Sequence, residues 1–221
     1  MVAEKIINSS IFPLKTSDTL DKALEWMEEM KVSHLPVIDN FVFKGMISEA
    51  VLLEQSDLSA SLSDVKLDHH KTFANQSEPV FDVIRTVNEH QLSVISVVDD
   101  QENYLGSITI KDLLDWVCKG SAYQHPGGVV VLNMQTNDYS LSQISQLVES
   151  DGVKILNASV QTIQDDHSKI RVVLKLNKDN ISRVVASFER HKYTIEAIFS
   201  DSEASRMGKD RVDNLLKYLD I

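Results

Sequence analysis

Two residues of this sequence are best placed to do chemistry. They are a hydroxyl and a carboxylate three positions apart, Thr109 and Asp112, in Gly106-Ser107-Ile108-Thr109-Ile110-Lys111-Asp112. An apolar run over 92–98 precedes them, an acidic turn follows at 99–103, and 113–117 reads as a helix. Thr109 and Asp112 therefore stand where a strand hands over to a helix. There they can cap free backbone N–H groups. They can equally face an anionic ligand, because a helix N-terminus attracts phosphate. An earlier stretch, Gly45-Met46-Ile47-Ser48-Glu49-Ala50-Val51, has the same form, with Ser48 as its hydroxyl and Val51 where the carboxylate would be.

The remaining reactive side chains suggest little. His69-His70 lie beside Asp68, but neighbouring residues point apart on a helix or strand. No third ligand is in view, so a surface loop is expected and no metal. His125 sits in a linker. Cys118 has no spaced His or Asp partner for nucleophilic catalysis. His34 is either a possible cation or a partly buried ring. The stripe Trp26, Met27, Met30 is helical core. Without a nucleophile–base pair or a ligand cluster, the expectation is a non-enzymatic protein with no catalytic residues.

Composition sets bounds. The 221 residues suit two domains, or one domain with an internal repeat. No apolar run is long enough to span a bilayer. The N-terminal Met1–Lys5 lacks a signal-peptide pattern, and the single Cys118 fits a reducing compartment, so a cytoplasmic protein is expected. The net charge of −11 is concentrated in residues 1–120, which carry −10 of it. Neither half offers a basic face, so no nucleic acid and no membrane is expected as partner. An acidic first half also means that any nucleotide site needs local donors or a metal ion.

The elements that position Thr109 and Ser48 recur. Residues 6–14, with Pro13, suit a lead-in strand. Leu20, Ala23, Leu24 and Met27 follow at helical spacing after Ser17-Asp18. A strand follows over 33–39, a turn at Asn40, a returning strand over 42–47, and a helix over 48–54. About sixty residues on, the order returns. Residues 73–75 lead in, and Glu78-Pro79 starts a helix whose Val80, Val83, Ile84 and Val87 repeat the earlier spacing. Ile95–Asp99 falls opposite Leu35–Asp39, and Gly106 opposite Gly45 after one inserted residue. This is an internal repeat.

Leu-Pro-Val-Ile-Asp, a turn, then Gly-hydrophobic-Ile-Ser/Thr-x-x-Asp resembles a CBS domain, and the phased pair resembles a CBS pair, or Bateman module, over roughly 6–117. The resemblance implies an adenosine-containing ligand (AMP, ADP, ATP or S-adenosylmethionine) in the cleft between repeats, with or without magnesium. Thr109 would meet phosphate and Asp112 the ribose hydroxyls. Ser48 and His34 would be the polar groups of the first repeat. Backbone near Phe12-Pro13-Leu14 and Phe73-Ala74-Asn75 would grip the adenine. No cofactor is required.

Residues 119–128 form a linker, rich in small and turn-forming side chains. A strand then covers 129–134. Ser140 with Gln143 makes a capping box, and Leu141, Ile144, Leu147 and Val148 form a helical stripe ending at Gly152. Strands over 153–163 and 170–176 flank a turn at 165–168. Asp179-Asn180 caps a helix with Ile181, Val184, Val185 and Phe188, and 193–199 closes the set. This βαββαβ order is ferredoxin-like. Beside a CBS pair it resembles an ACT domain, as in bacterial acetoin-utilisation CBS–ACT proteins. The loop 137–140 lacks the Gly usual in effector-binding ACT domains, so subunit pairing is the stronger expectation there. Residues 202–221 carry Val212, Leu215, Leu216 and Leu219 at helical spacing.

The expected fold is α+β: CBS repeats at 1–60 and 61–120, a linker at 121–128, an ACT-like domain at 129–200, and a C-terminal helix at 201–221. The expected function is regulatory sensing, as a homodimer through the CBS or ACT-like domains, acting on a regulated protein the sequence does not name. The alternatives are a homodimeric interaction scaffold with degenerate sites, or amino-acid sensing by the ACT-like domain.

Overall fold

The computed structural model describes residues 1–200. They form two compact units, Met1–Val117 and a second beginning at Cys118. The helix expected over 201–221 lies outside the described residues.

Helical spacing and capping build the first unit. β1 (Leu14–Lys15) leads into α1 (Leu20–Met30), then β2 (His34–Asp39), β3 (Val42–Ser48) and α2 (Glu49–Leu53). Leu20, Ala23 and Met27 are the buried face of α1. Thr19, not Ser17 or Asp18, caps it, accepting from the Lys22 N–H at 3.3 Å. Lys31 ends it in a left-handed conformation, its N–H turned back to the Glu28 carbonyl. The second repeat gives β4 (Ala74–Asn75), α3 (Val80–Glu89), β5 (Val94–Val98), β6 (Tyr104–Thr109) and α4 (Ile110–Cys118). Val80, Val83 and Val87 are the buried face of α3. The expected lead-in strand over 6–14 shrinks to two residues, because only Leu14 and Lys15 pair with β2.

Each repeat makes a three-stranded sheet, β1-β2-β3 and β4-β5-β6, with its first pair parallel and its second antiparallel. The duplication extends to irregularities. The β2–β3 ladder bulges between Val37 and Ile38, and the β5–β6 ladder bulges between Val97 and Val98. Gly45 pairs with Val37, and Gly106 with Val97.

The repeats exchange their lead-in segments. The Asn8 N–H donates to the Ser107 carbonyl on β6 at 2.8 Å, so the first repeat's lead-in lies on the second repeat. Asp68 and Met46 exchange two backbone hydrogen bonds, both 2.8 Å, so the second repeat's lead-in lies on β3. The Gly positions permit this close approach. Gly106 has φ +155°, and a Cβ there would run into Ile7 Cγ2.

The second unit contains α5 (Ser121–Gln124), β7 (Val129–Gln135), α6 (Leu141–Ser150), β8 (Ile155–Ile163), β9 (Asp166–Leu176), α7 (Ser182–Arg190) and β10 (Thr194–Phe199). The expected linker thus holds a short helix. The sheet order is β10-β7-β9-β8, antiparallel throughout. On β9 every second residue from Ile170 to Leu176 is buried. Ile144 and Val148 of α6 join Val184 and Phe188 of α7 in that same core, which places both helices on one face. The Ser140 cap is present, with Oγ accepting from the Gln143 N–H at 3.4 Å. At α7 the cap position is Ile181, and Asn180 Oδ1 accepts from the Ser182 N–H at 3.3 Å.

Candidate ligand-binding site

The exchanged lead-ins create two equivalent positions, one at the end of β6 and its repeat counterpart at the end of β3, called the β6 and β3 clefts. The β6 cleft opens into a cavity of about 660 Å³. It is lined by Thr109, Ile110 and Lys111 at the start of α4, by Asn8, Ser10 and Phe12 of the lead-in, by Ser93, and by the end of α1 from Trp26 to Val32. The ring of Trp26 meets Phe12 edge to face at 6.1 Å, and the Lys22 ammonium lies 4.4 Å from its centroid. An aromatic wall, a hydroxyl at a helix start and two lysines, Lys31 and Lys111, therefore share one cavity. Lys111 is held protonated by its 2.6 Å pair with Asp115.

Asp112 stands beside this cavity with its oxygens engaged. Asn8 Nδ2 donates to both, at 3.0 and 3.1 Å. The Thr109 N–H and hydroxyl donate to Oδ2 at 2.8 and 2.5 Å, while Thr109 Oγ1 accepts from the Asp112 N–H at 3.1 Å. The capping geometry and the position beside a cavity thus coexist in the same two residues.

The other residues singled out from the sequence are dispersed. Phe12 lines the cavity, but Leu14 is fully buried in the core. Phe73 packs edge to face on Phe43 at 5.8 Å. Asn75 donates to Asp100 at 3.0 Å. Ser48 and His34 belong to the β3 cleft. Ser48 caps α2 through the Val51 N–H and donates to Asp68 at 3.2 Å. His34 pairs with Ser48 across the β2–β3 ladder. Burial holds its imidazole below the ordinary value and His69 pushes the same way, against Asp68. His69 stacks edge to face between His34 and His90, at 6.2 and 5.5 Å between centroids, so it is part of the cleft and not a bare loop residue. His70 turns away to the Lys44 carbonyl at 2.9 Å. Among the described residues no group of three His, Cys, Asp or Glu is spaced to hold a metal ion, and Cys118 is exposed and unbridged.

Asn8, Trp26, Lys31 and Lys111 were not legible as site residues. Lys31 stands at the left-handed end of α1, and that turn brings it to the cavity.

The CBS-domain model matches residues 2–56 and 62–119, together half of the sequence. The chain belongs to the CBS-domain family. Its CBS repeats are the two sheets described above. Inosine-5'-monophosphate dehydrogenase of Methanocaldococcus jannaschii is 20% identical over 150 residues, which cover 67% of this chain and 30% of the dehydrogenase. The chain therefore spans less than a third of that relative's length. Among solved structures, a CBS domain pair/ACT domain protein from Thermotoga maritima is 22% identical, with a TM-score of 0.49, over 55% of this chain and 99% of that one. CBSX2 in complex with AMP is 21% identical, with a TM-score of 0.47, over 53% and 96%; CBSX2 is a CBS-pair protein of Arabidopsis thaliana. The cytosolic domain of the magnesium channel MgtE in complex with ATP is 18% identical, with a TM-score of 0.44, over 52% and 48%. No helix among the described residues is long and apolar enough to cross a membrane.

Proposed function

We propose that this CBS pair is a non-enzymatic regulatory module that takes an adenosine-containing ligand in the β6 cleft. The observation that carries the reading is the convergence in one cavity of the Thr109 hydroxyl, the start of α4, two lysines and the Trp26–Phe12 wall, with Asp112 alongside. The helix start and the lysines suit phosphate. The aromatic wall suits a base, and a carboxylate can accept two hydrogen bonds from a ribose diol. The family resemblance assigns Thr109 and Asp112 those same roles. The β3 cleft is the poorer site, because Val51 replaces the carboxylate and histidine rings occupy it. Binding regulates only if the ligand has different affinity for two arrangements of the repeats.

The proposed assembly is a homodimer. Phe81, Ile110 and Leu114 expose 76%, 53% and 58% of their surface on α3 and α4, apolar area that a second module would cover. The βαββαβ unit is read as ACT-like. One observation favours a second ligand there: a groove of about 930 Å³ with Asp138, Lys169, Lys192 and Tyr193 on its walls, groups of both charges that suit a zwitterionic amino acid. The proposed location is the cytoplasm, and the regulated protein is the remaining partner.

Thermal unfolding with AMP, ADP, ATP, S-adenosylmethionine and amino acids, with and without magnesium, tests the reading. A ligand that binds only the folded state raises the midpoint with concentration. An adenosine compound should do so in the wild type and lose the effect in Asp112→Ala and Thr109→Val. A response to amino acids alone would move sensing to the second unit. No response at millimolar concentrations would leave the scaffold reading in place.

A further inference from the structure

The β3 cleft carries a feature its twin lacks. His34 on β2, His69 in the lead-in of the second repeat and His90 at the end of α3 form an edge-to-face ladder, 6.2 and 5.5 Å between centroids. By the repeat register the corresponding positions of the β6 cleft are Val94, Ser9 and Met30. The ladder runs from half-buried His34 and His69 to exposed His90, and it joins one repeat to the other.

The hydrogen bonds of His34 fix its protonation state. Its Nδ1 lies 3.3 Å from the Ser93 backbone N, whose N–H can only donate. Nδ1 must therefore accept, and the neutral ring carries its proton on Nε2. Beside it, the Ser33 N–H donates to Ser93 Oγ at 3.0 Å. Both contacts cross from one repeat to the other. A proton added to His34 can only go to Nδ1, where it would face the Ser93 N–H donor to donor. The Ser33 and Ser93 hydroxyls, each 3.2 Å away, could take the new proton only if Ser93 N–H gave up its acceptor.

We propose that the His34–His69–His90 ladder is an acid-sensitive clasp between the two CBS repeats, closed when the rings are neutral and released when His34 is protonated. The groups that face it are few. Asp68, on the lead-in, is the carboxylate acting on His34, and it is already held by Ser48 Oγ. Glu49 opens α2 with its N–H on the Ser33 carbonyl, and Glu89 precedes His90 on α3. His70 turns its Nδ1 to the Lys44 carbonyl at 2.9 Å. One carboxylate can balance one imidazolium, so three protons would leave like charges side by side. Burial and the neighbouring His69 already oppose the charged form of His34. The clasp does not rest on the nucleotide reading, but it shares Ser93 with the wall of the β6 cavity, so its test is run without nucleotide.

The test is a titration of the histidine ring protons by NMR from about pH 8 to about pH 5, the range in which imidazole changes charge. It is run on the wild type, His69→Phe and His34→Gln. Glutamine offers Ser93 an acceptor and does not titrate. Amide protection at Met46 and Asp68, which bridge the repeats, is followed in parallel. The expected result has three parts. His34 titrates below free histidine. It moves up in His69→Phe, which removes a neighbouring ring that opposes the charged form. Protection at Met46 and Asp68 falls on acidification in the wild type and stays in His34→Gln. If His69→Phe fails to fold, His69→Asn gives the same comparison for His34. Titration of His34 at or above the value of free histidine overturns the clasp. So does protection that is unchanged as His34 charges.

Discussion

The side-chain amide of Asn8 donates to both carboxylate oxygens of Asp112, at 3.0 and 3.1 Å, across 104 residues of sequence. That clasp holds the first repeat's lead-in on the second repeat, and it occupies the oxygens a ribose diol would use. Asn8→Ala is expected to cost roughly 1–3 kcal/mol in folding stability, from two lost hydrogen bonds to a charged acceptor. Its affinity for the adenosine ligand should equal or exceed that of the wild type, because the carboxylate is released. Calorimetric titration of both proteins decides it, and a tenfold loss of affinity would show that Asn8 helps to hold the ligand.

Gly106→Ala should be destabilising by roughly 1–3 kcal/mol, from an unfavourable φ and an overpacked contact with Ile7. Adding Ile7→Ala should recover part of that loss, since it removes the obstructing methyl. Urea midpoints for the two single variants and the double variant measure the coupling. Strict additivity would mean that backbone strain, and not the Ile7 contact, sets the cost.

Tyr104 gives the first unit an alkaline limit. Burial pushes its phenol up to about 12, against a hydrogen bond with Ser107 Oγ at 2.9 Å that pulls it down. The folded state thus keeps a proton that the unfolded chain releases near pH 10. The Tyr104 contribution is complete below that pH and is lost as pH rises from 10 to about 12. Stability measured across this window should fall less steeply in Tyr104→Phe than in the wild type. Ultraviolet absorbance should show Tyr104 ionising late in the folded protein, alongside Tyr193, whose phenol burial also raises, and the Tyr104→Phe difference spectrum isolates the Tyr104 step.

The exposed faces of α3 and α4 bear on assembly. Phe81 meets Trp116 edge to face at 5.4 Å and still presents most of its ring outward. The pair Phe81→Asp and Leu114→Asp should convert the proposed dimer to a monomer by light scattering, with little change in circular dichroism. A wild-type monomer, or a variant that remains dimeric, would remove these faces from the interface.

The duplication was legible because it is written in local patterns. Leu20, Ala23 and Met27 match Val80, Val83 and Val87, and Gly45 matches Gly106. Each of those positions is fixed by a helix face or a strand register that sequence spacing records. The βαββαβ order of the second unit was readable for the same reason. The composition of the cleft was not. Thr109 and Asp112 stood out because they adjoin in sequence. Asn8 reaches them only because the lead-in of one repeat is laid on the other, an exchange that spacing does not encode, and Trp26 of α1 packs on Phe12 of that same lead-in. The same exchange separates Ser48 and His34 from Thr109, although a linear reading groups them. Lys31 was not legible either, since its place depends on a left-handed turn at a non-glycine residue.

The exchanged lead-ins also bear on how such a chain could arise and diverge. A single repeat by itself has neither cleft complete, since the segment that closes each one comes from the other copy. An ancestral single repeat would have needed a second molecule of itself, so the present first unit amounts to a homodimer fused into one polypeptide. Fusion frees the two halves from having to be identical. One cleft could then keep its threonine and aspartate while the other lost its carboxylate and accumulated histidines, a division of labour closed to any strictly symmetric pair.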